Sequence, residues 1–272
     1  MSTKGFANVC KAMCGVAAGA CNGAINLHWS DGSDISDINA KFGAQHTVTG
    51  SLGLIFAAVF ARSVSTMNSQ SLWSLYFLLT AIHIFGNVKC LQLVSFDYLN
   101  TDRMAIVCDG FLERIQRGED AEKVVVDDPK SVSFQEPLLF VSSRKSLPIR
   151  VGVSFDSLVS LCEMDNDAIQ QAAKDIEDDK YVVGLGKECI SISISESASS
   201  IDRAKAYFYA TVLEKVVLMD ESLKMTSIVH DAVEDVVQRL WPHFERSAQR
   251  ANWDLSKTEL STEGYEVSIN GT

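Results

Sequence analysis

Charge is scarce in the first part of this sequence. No glutamate occurs before Glu113, and between Phe42 and Val88 the one charged side chain is Arg62. Proline is scarce as well, at four in 272 residues, so little interrupts a long helix. The sequence has no cluster of Lys and Arg, which argues against nucleic acid as a partner, because phosphate binding needs grouped cations. It contains no G-x-S-x-G, H-E-x-x-H or C-x-x-C and no kinase motif set. The chain is therefore read as non-enzymatic, with no cofactor and no metal. The N-terminus lacks the marks of a signal peptide: Lys11 interrupts the apolar run, which is rich in Ala and Gly where leucine is expected. A Ser- and Arg-rich transit peptide is equally missing, so no targeting segment is visible.

What is present divides in two. Residues 1–110 hold six basic groups and six acidic ones, all Asp; residues 111–272 hold the other 18 basic and 29 acidic groups, the whole net charge of −11. Such a shift marks a change of environment. The reading is α+β: an apolar helical region over 1–118, a linker over 119–148, and an acidic α+β domain over 149–272 with a small antiparallel sheet. The seven cysteines are an odd number, five of them in the apolar part, which suits buried thiols in a reducing compartment better than a disulfide framework.

Phe42–Ala61 and Ser63–Val88 carry no charge and are long enough to span a bilayer, which takes about 20 apolar residues. They predict a helical hairpin turning near Arg62–Ser71, either in lipid or within a soluble bundle. Ahead of them, Gly15, Gly19 and Gly23 repeat at four-residue spacing. Glycines so spaced share one helix face and let a second helix approach closely. The run from His28 through Asp31, Asp34 and Asp37 reads as a loop whose Asp34 or Ser36 caps a helix. It fails as a calcium loop because Ile35 stands where an oxygen ligand is needed. Cys10 and Cys14 lie one helical turn apart but lack the second pair a zinc site requires.

From His83 the helical pattern continues through Leu99, and Asp102 or Thr101 can cap the next helix. Pro129 and Pro137 predict a non-helical linker. Beyond it, Ile149–Val153 reads as a strand, Asp156–Cys162 and Asp165–Asp178 as helices, and Tyr181–Leu185 with Cys189–Ser195 as a hairpin. In Ile190–Ser195 isoleucine and serine alternate with period two, the pattern of a half-buried strand. Gly184-Leu-Gly186-Lys187 is a hairpin turn here, not a phosphate loop, since a strand comes after it. Ile201–Leu218 and Ser227–Arg250 read as long helices and Trp253–Ile269 as one or two strands.

Several segments together resemble the root UV-B sensitive family, in its C-terminal portion. They are Val16-Ala-Ala-Gly19-Ala20 with His28, Asp37-Ile-Asn-Ala40-Lys41 with Gln45-His-Thr47, His83-Ile-Phe-Gly-Asn87, Leu99-Asn100-Thr-Asp-Arg103, Glu136-Pro137-Leu138, Leu240-Trp-Pro242-His-Phe244, and Asn252-Trp253. This chain has Asn22 where the family commonly has arginine and His46 where it has glutamate. The resemblance implies His28, Asp37, Lys41, Gln45, His83, Asn87, Asn100 and Arg103 as motif residues. It also implies a setting in UV-B response, seedling and root development, vitamin B6 homeostasis and auxin transport, in some members within plastids and in pairs with one another. The expected function is that of a membrane-associated interaction protein. Its expected partners are lipid and a second copy, or another family member, met through the apolar helices. The alternatives are a small-molecule carrier with His28, Lys41, His83 and Asn87 along a polar path, and a soluble handler of pyridoxal phosphate using Lys41.

Overall fold

The computed structural model describes residues 3–30, 34–137, 147–219 and 228–267. Helix predominates, and the chain packs as two compact units, Met1–Gly86 and Asn87–Thr272.

The first unit is helical. Helix α1 covers Thr3–Ser30 and α2 covers Ile35–Val64, with the Asp34 carboxylate accepting from the Ser36 amide at its start. Helix α3, Ser69–Leu93, begins after the four residues Ser65–Asn68, with Asn68 Oδ1 accepting from the Ser71 amide. The turn expected at Arg62–Ser71 is thus in place. The continuation to Leu99 is not: α3 stops at Leu93, and Leu99 enters the core of the second unit instead. No residue of α2 or α3 is buried. The cysteines here depart from expectation in the same way, since Cys10, Cys14, Cys21 and Cys90 are exposed and only Cys108 and Cys189 are buried.

The second unit is α+β, as expected, with helices packed on both faces of a small sheet. Strands β1 (Ile149–Val151), β2 (Tyr181–Leu185) and β3 (Ile190–Ile194) form a sheet in the order β1-β3-β2. The sheet is mixed, not purely antiparallel, because β1 runs parallel to β3. Its central strand is β3, so the expectation of a half-buried strand is corrected: serine and isoleucine faces are both covered. Ile190, Ile192 and Ile194 share a face with Val183 and Tyr181 and pack into the main core. Ser191 and Ser193 lie opposite Gly184 and Val182, under α6 (Phe155–Leu161) and α7 (Asn166–Asp178).

The main core is built by α4 (Thr101–Gln116), α8 (Ser200–Met219) and α9 (Ile228–Arg250). Phe111, Phe208, Trp241 and Phe244 form an aromatic knot at its centre, Phe208 and Phe244 being 4.8 Å apart. Compact packing therefore divides the chain after Gly86 and not after residue 118, because α4 buries its apolar face among α8 and α9.

The segment after α4 is no free linker. Val124 and Val126 are buried, and the Ser247 hydroxyl of α9 accepts from the Val126 amide and donates to the Val124 carbonyl. A short helix, α5, runs over Pro129–Ser133 where none was expected. Proline suits a first helical turn, whose N–H has no partner anyway, and Asp128 caps it. Past α9, a 3-10 turn at Leu255–Lys257 and an isolated bridge from Ser195 to Val267 replace the expected strands; Ser268 and Ile269 lie outside the described residues.

Candidate functional site

The motif residues Asn100 and Arg103 meet in one largely buried polar cluster at the start of α4. Asn100 caps the helix, its Oδ1 accepting from the Arg103 amide at 2.8 Å, where Thr101 or Asp102 was expected to do so. Its Nδ2 donates to Glu136 Oε1 at 3.0 Å. Arg103, only 7% exposed, donates from Nε to Glu136 Oε2 at 3.0 Å and from Nη1 to the Tyr98 carbonyl. Its guanidinium also lies over the Phe96 and Tyr98 rings, 4.9 and 5.3 Å from their centroids. A buried arginine needs both a counter-charge and enough acceptors, and this cluster supplies them. Its effect is to lock the start of α4 to the residues just beyond α5.

The later markers are joints of the same kind. Asn252 takes a left-handed backbone (φ 66°) at the end of α9, a conformation that asparagine tolerates better than most residues. Trp253 then donates from Nε1 to the Asp127 carbonyl at 2.9 Å. Trp241 and Phe244 belong to the aromatic knot, and Arg246 Nε donates to the carbonyl of Pro242.

Around the hairpin, Gly184 and Gly186 are required by packing. A Cβ on Gly184 would stand 2.5 Å from Cys162 Sγ, and one on Gly186 2.7 Å from the Leu161 carbonyl. Burial pushes the Cys162 thiol up to about 11. A shallow recess beside the turn is lined by Pro148, Arg150, Lys187 and Cys189. Its cations are already engaged: Arg150 forms a two-point pair with Glu263, and Lys187 meets Glu163 at 2.6 Å. The Arg150 guanidinium in turn holds the Glu263 carboxyl below its ordinary range.

The motif residues carried by α1, α2 and α3 are placed on the helices themselves. Asp37 pairs with Lys41 at 2.6 Å along one exposed face of α2, with Gln45 one turn further on. His28 sits edge-on to Trp29 near the end of α1, and His83 and Asn87 lie on exposed turns of α3. A hydrogen bond from Asn26 Nδ2 to Asn39 Oδ1 at 2.7 Å ties α1 to α2. Nothing described lies within 4 Å of the Cβ positions of Gly15, Gly19 and Gly23. Among the described residues no three His, Cys, Asp or Glu side chains gather around a common point.

Sequence reasoning missed the Arg103–Glu136 pairing and the ring platform of Phe96 and Tyr98. A buried cation on aromatic faces was legible only as single residues, since 32 intervening positions separate Arg103 from Glu136.

A chain with open apolar helices ahead of an α+β unit, its Asn100 and Arg103 serving as joints, forms a distinct class of two-part protein. Comparison with known proteins places it: the chain belongs to the root UVB sensitive family. Residues 1–115 match the vitamin B6 photo-protection and homoeostasis domain, and residues 125–268 match the root UVB sensitive protein C-terminal domain. The likeness thus takes in both domains and not the C-terminal portion alone.

Among curated proteins, the chain is 28% identical to protein root UVB sensitive 3 of Arabidopsis thaliana, over 78% of this chain and 48% of that one. It is 26% identical to RUS family member 1 of Dictyostelium discoideum, over 64% and 32%. With protein root UVB sensitive 2, chloroplastic, of Arabidopsis thaliana the figures are 22%, 87% and 54%. The chain thus spans about half the length, or less, of these relatives. No solved structure matches it.

Proposed function

We propose that this chain is a membrane-associated interaction protein acting in vitamin B6 photo-protection and homoeostasis, with α2 and α3 in lipid. One observation carries the reading: both helices are long and apolar enough to cross a membrane, yet no residue of either is buried in protein. Exposed apolar surface on this scale needs a cover. Hydroxyl groups on these helices fit a dry environment. Thr47, Thr49, Ser51, Ser63, Ser74 and Thr80 each donate to a carbonyl one turn back, so they need no water.

The glycine face of α1 offers a surface for a second copy or for another family member. The matched domain supports the vitamin B6 setting, and the chloroplastic relative supports a plastid membrane. The chain is proposed to act without catalysis, since its motif residues Asn100 and Arg103 join secondary-structure elements.

Alkaline carbonate extraction of membranes from cells producing the full chain tests this. The chain is expected to stay in the pellet. The double variant Leu52→Asp/Leu78→Asp is expected in the supernatant. Both positions are exposed, so aspartate costs little there in water, but about 5–7 kcal/mol for the two at a bilayer centre. Extraction of the unaltered chain would refute membrane association.

A further inference from the structure

This inference rests on the membrane reading and adds a topology to it. Lys41 and Arg62 stand 21 residues apart on α2, and residues 42–61 between them carry no charge. Asn68, which caps α3, and Lys89 also stand 21 residues apart, and residues 69–88 carry no charge. At about 1.5 Å per residue both intervals measure about 32 Å. With a tilt of about 20° each covers about 30 Å, the thickness of a bilayer's hydrocarbon core.

At the lysine margin the agreement is not a matter of helix ends, because α2 starts six residues before Lys41 and α3 runs four beyond Lys89; at the other margin Asn68 is the cap of α3 itself. The cations fall at the margins, where headgroup phosphates complement them. Trp73 lies about 8 Å from the Arg62 margin, on the side of the core nearer the level that amphipathic rings favour. Only Ser65–Asn68 joins the two helices. Four residues reach about 14 Å at most, too little to recross the core.

We propose that α2 and α3 cross the bilayer in opposite directions, with Lys41 and Lys89 at the headgroups of one face and Arg62 with Ser65–Asn68 at the other. Residue 41+n of α2 then lies level with residue 89−n of α3. Counted so, Gln45, His46, His83 and Asn87 all fall within about 9 Å of the lysine face, in a single leaflet.

Impermeant maleimide labelling of the full chain in sealed vesicles of one orientation tests the topology. Three thiols report: Ser36→Cys, Ser65→Cys and the native Cys90. Cys10, Cys14 and Cys21 are changed to serine throughout, and Cys90 is changed too when another thiol reports. Cys108 and Cys189 are buried, and the high pKa of Cys162 keeps it slow. The expected result is that Ser36→Cys and Cys90 label from the same side, with Ser65→Cys labelling only from the other side or after detergent. Equal labelling of all three in intact vesicles that retain the chain through carbonate overturns the double crossing while membrane association stands. So does labelling of Ser36→Cys and Cys90 from opposite sides. Loss of the chain to carbonate removes both proposals at once.

Discussion

Arg103 and Glu136 are each nearly out of reach of water, so removing one strands the charge of the other. Such a loss costs about 3–5 kcal/mol, whereas replacing both partners with apolar groups of similar volume costs much less. Arg103→Met and Glu136→Leu are therefore each expected to lower the urea midpoint of the full chain in detergent. The double variant should lose clearly less than the two single losses added. Simple additivity in that double-mutant cycle would show the pair is uncoupled. At this scale the sequence is legible in part. Asn100 and Arg103 stand out as motif residues and Glu136 as a marker, but polar side chains carry no periodicity, so their meeting leaves no trace. Lys41 stands out too, and the structure gives it Asp37 as its neighbour.

Elements are legible through periodicity, and most of the helices obey it: α2, α4, α6, α7, α8 and α9 lie within a few residues of their expected bounds. The departures have physical causes. Period two in Ile190–Ser195 reports a strand correctly but cannot report that helices cover both faces. Pro129 reads as a helix breaker, although at the first helical position proline is a starter. The close approach of α6 to the hairpin is also invisible, because it depends on a side chain that is not there. Gly184→Ala would push a methyl group against Cys162 Sγ and Leu158. Crowding of that kind costs about 1–3 kcal/mol. The double variant Gly184→Ala/Cys162→Ala should recover much of the loss, read as a rise in thermal midpoint. Absence of rescue would mean that the strain lies in the strand itself.

Taken as a whole molecule, the chain is legible as two unlike parts, because charge density changes sharply along it. The packing boundary is not, since composition does not say which core an amphipathic helix joins. Carboxylate placement predicts that the second unit is acid-sensitive. Ser131, Ser256 and Arg150 hold the carboxyls of Asp128, Asp254 and Glu263 below their ordinary values of 3.8, 3.8 and 4.5. A group whose folded pKa is depressed stabilises fully above its ordinary value and loses that contribution as pH falls through the folded one. The urea midpoint is thus expected to decline as pH drops below about 4, and Glu263→Gln should make the decline shallower. A flat profile between pH 5 and pH 3 would exclude these carboxylates as contributors.

Helix α4 straddles a conventional border. By sequence it closes the vitamin B6 domain; by packing it fills the middle of the second unit. A polypeptide begun at residue 125, where the second family match starts, would lack Met104, Val107, Cys108 and Phe111 and would turn the rings of Phe208 and Phe244 towards solvent. Domain swaps and fragment libraries drawn from alignments of this family would cut through a keystone, and their insolubility would say nothing about the protein left intact.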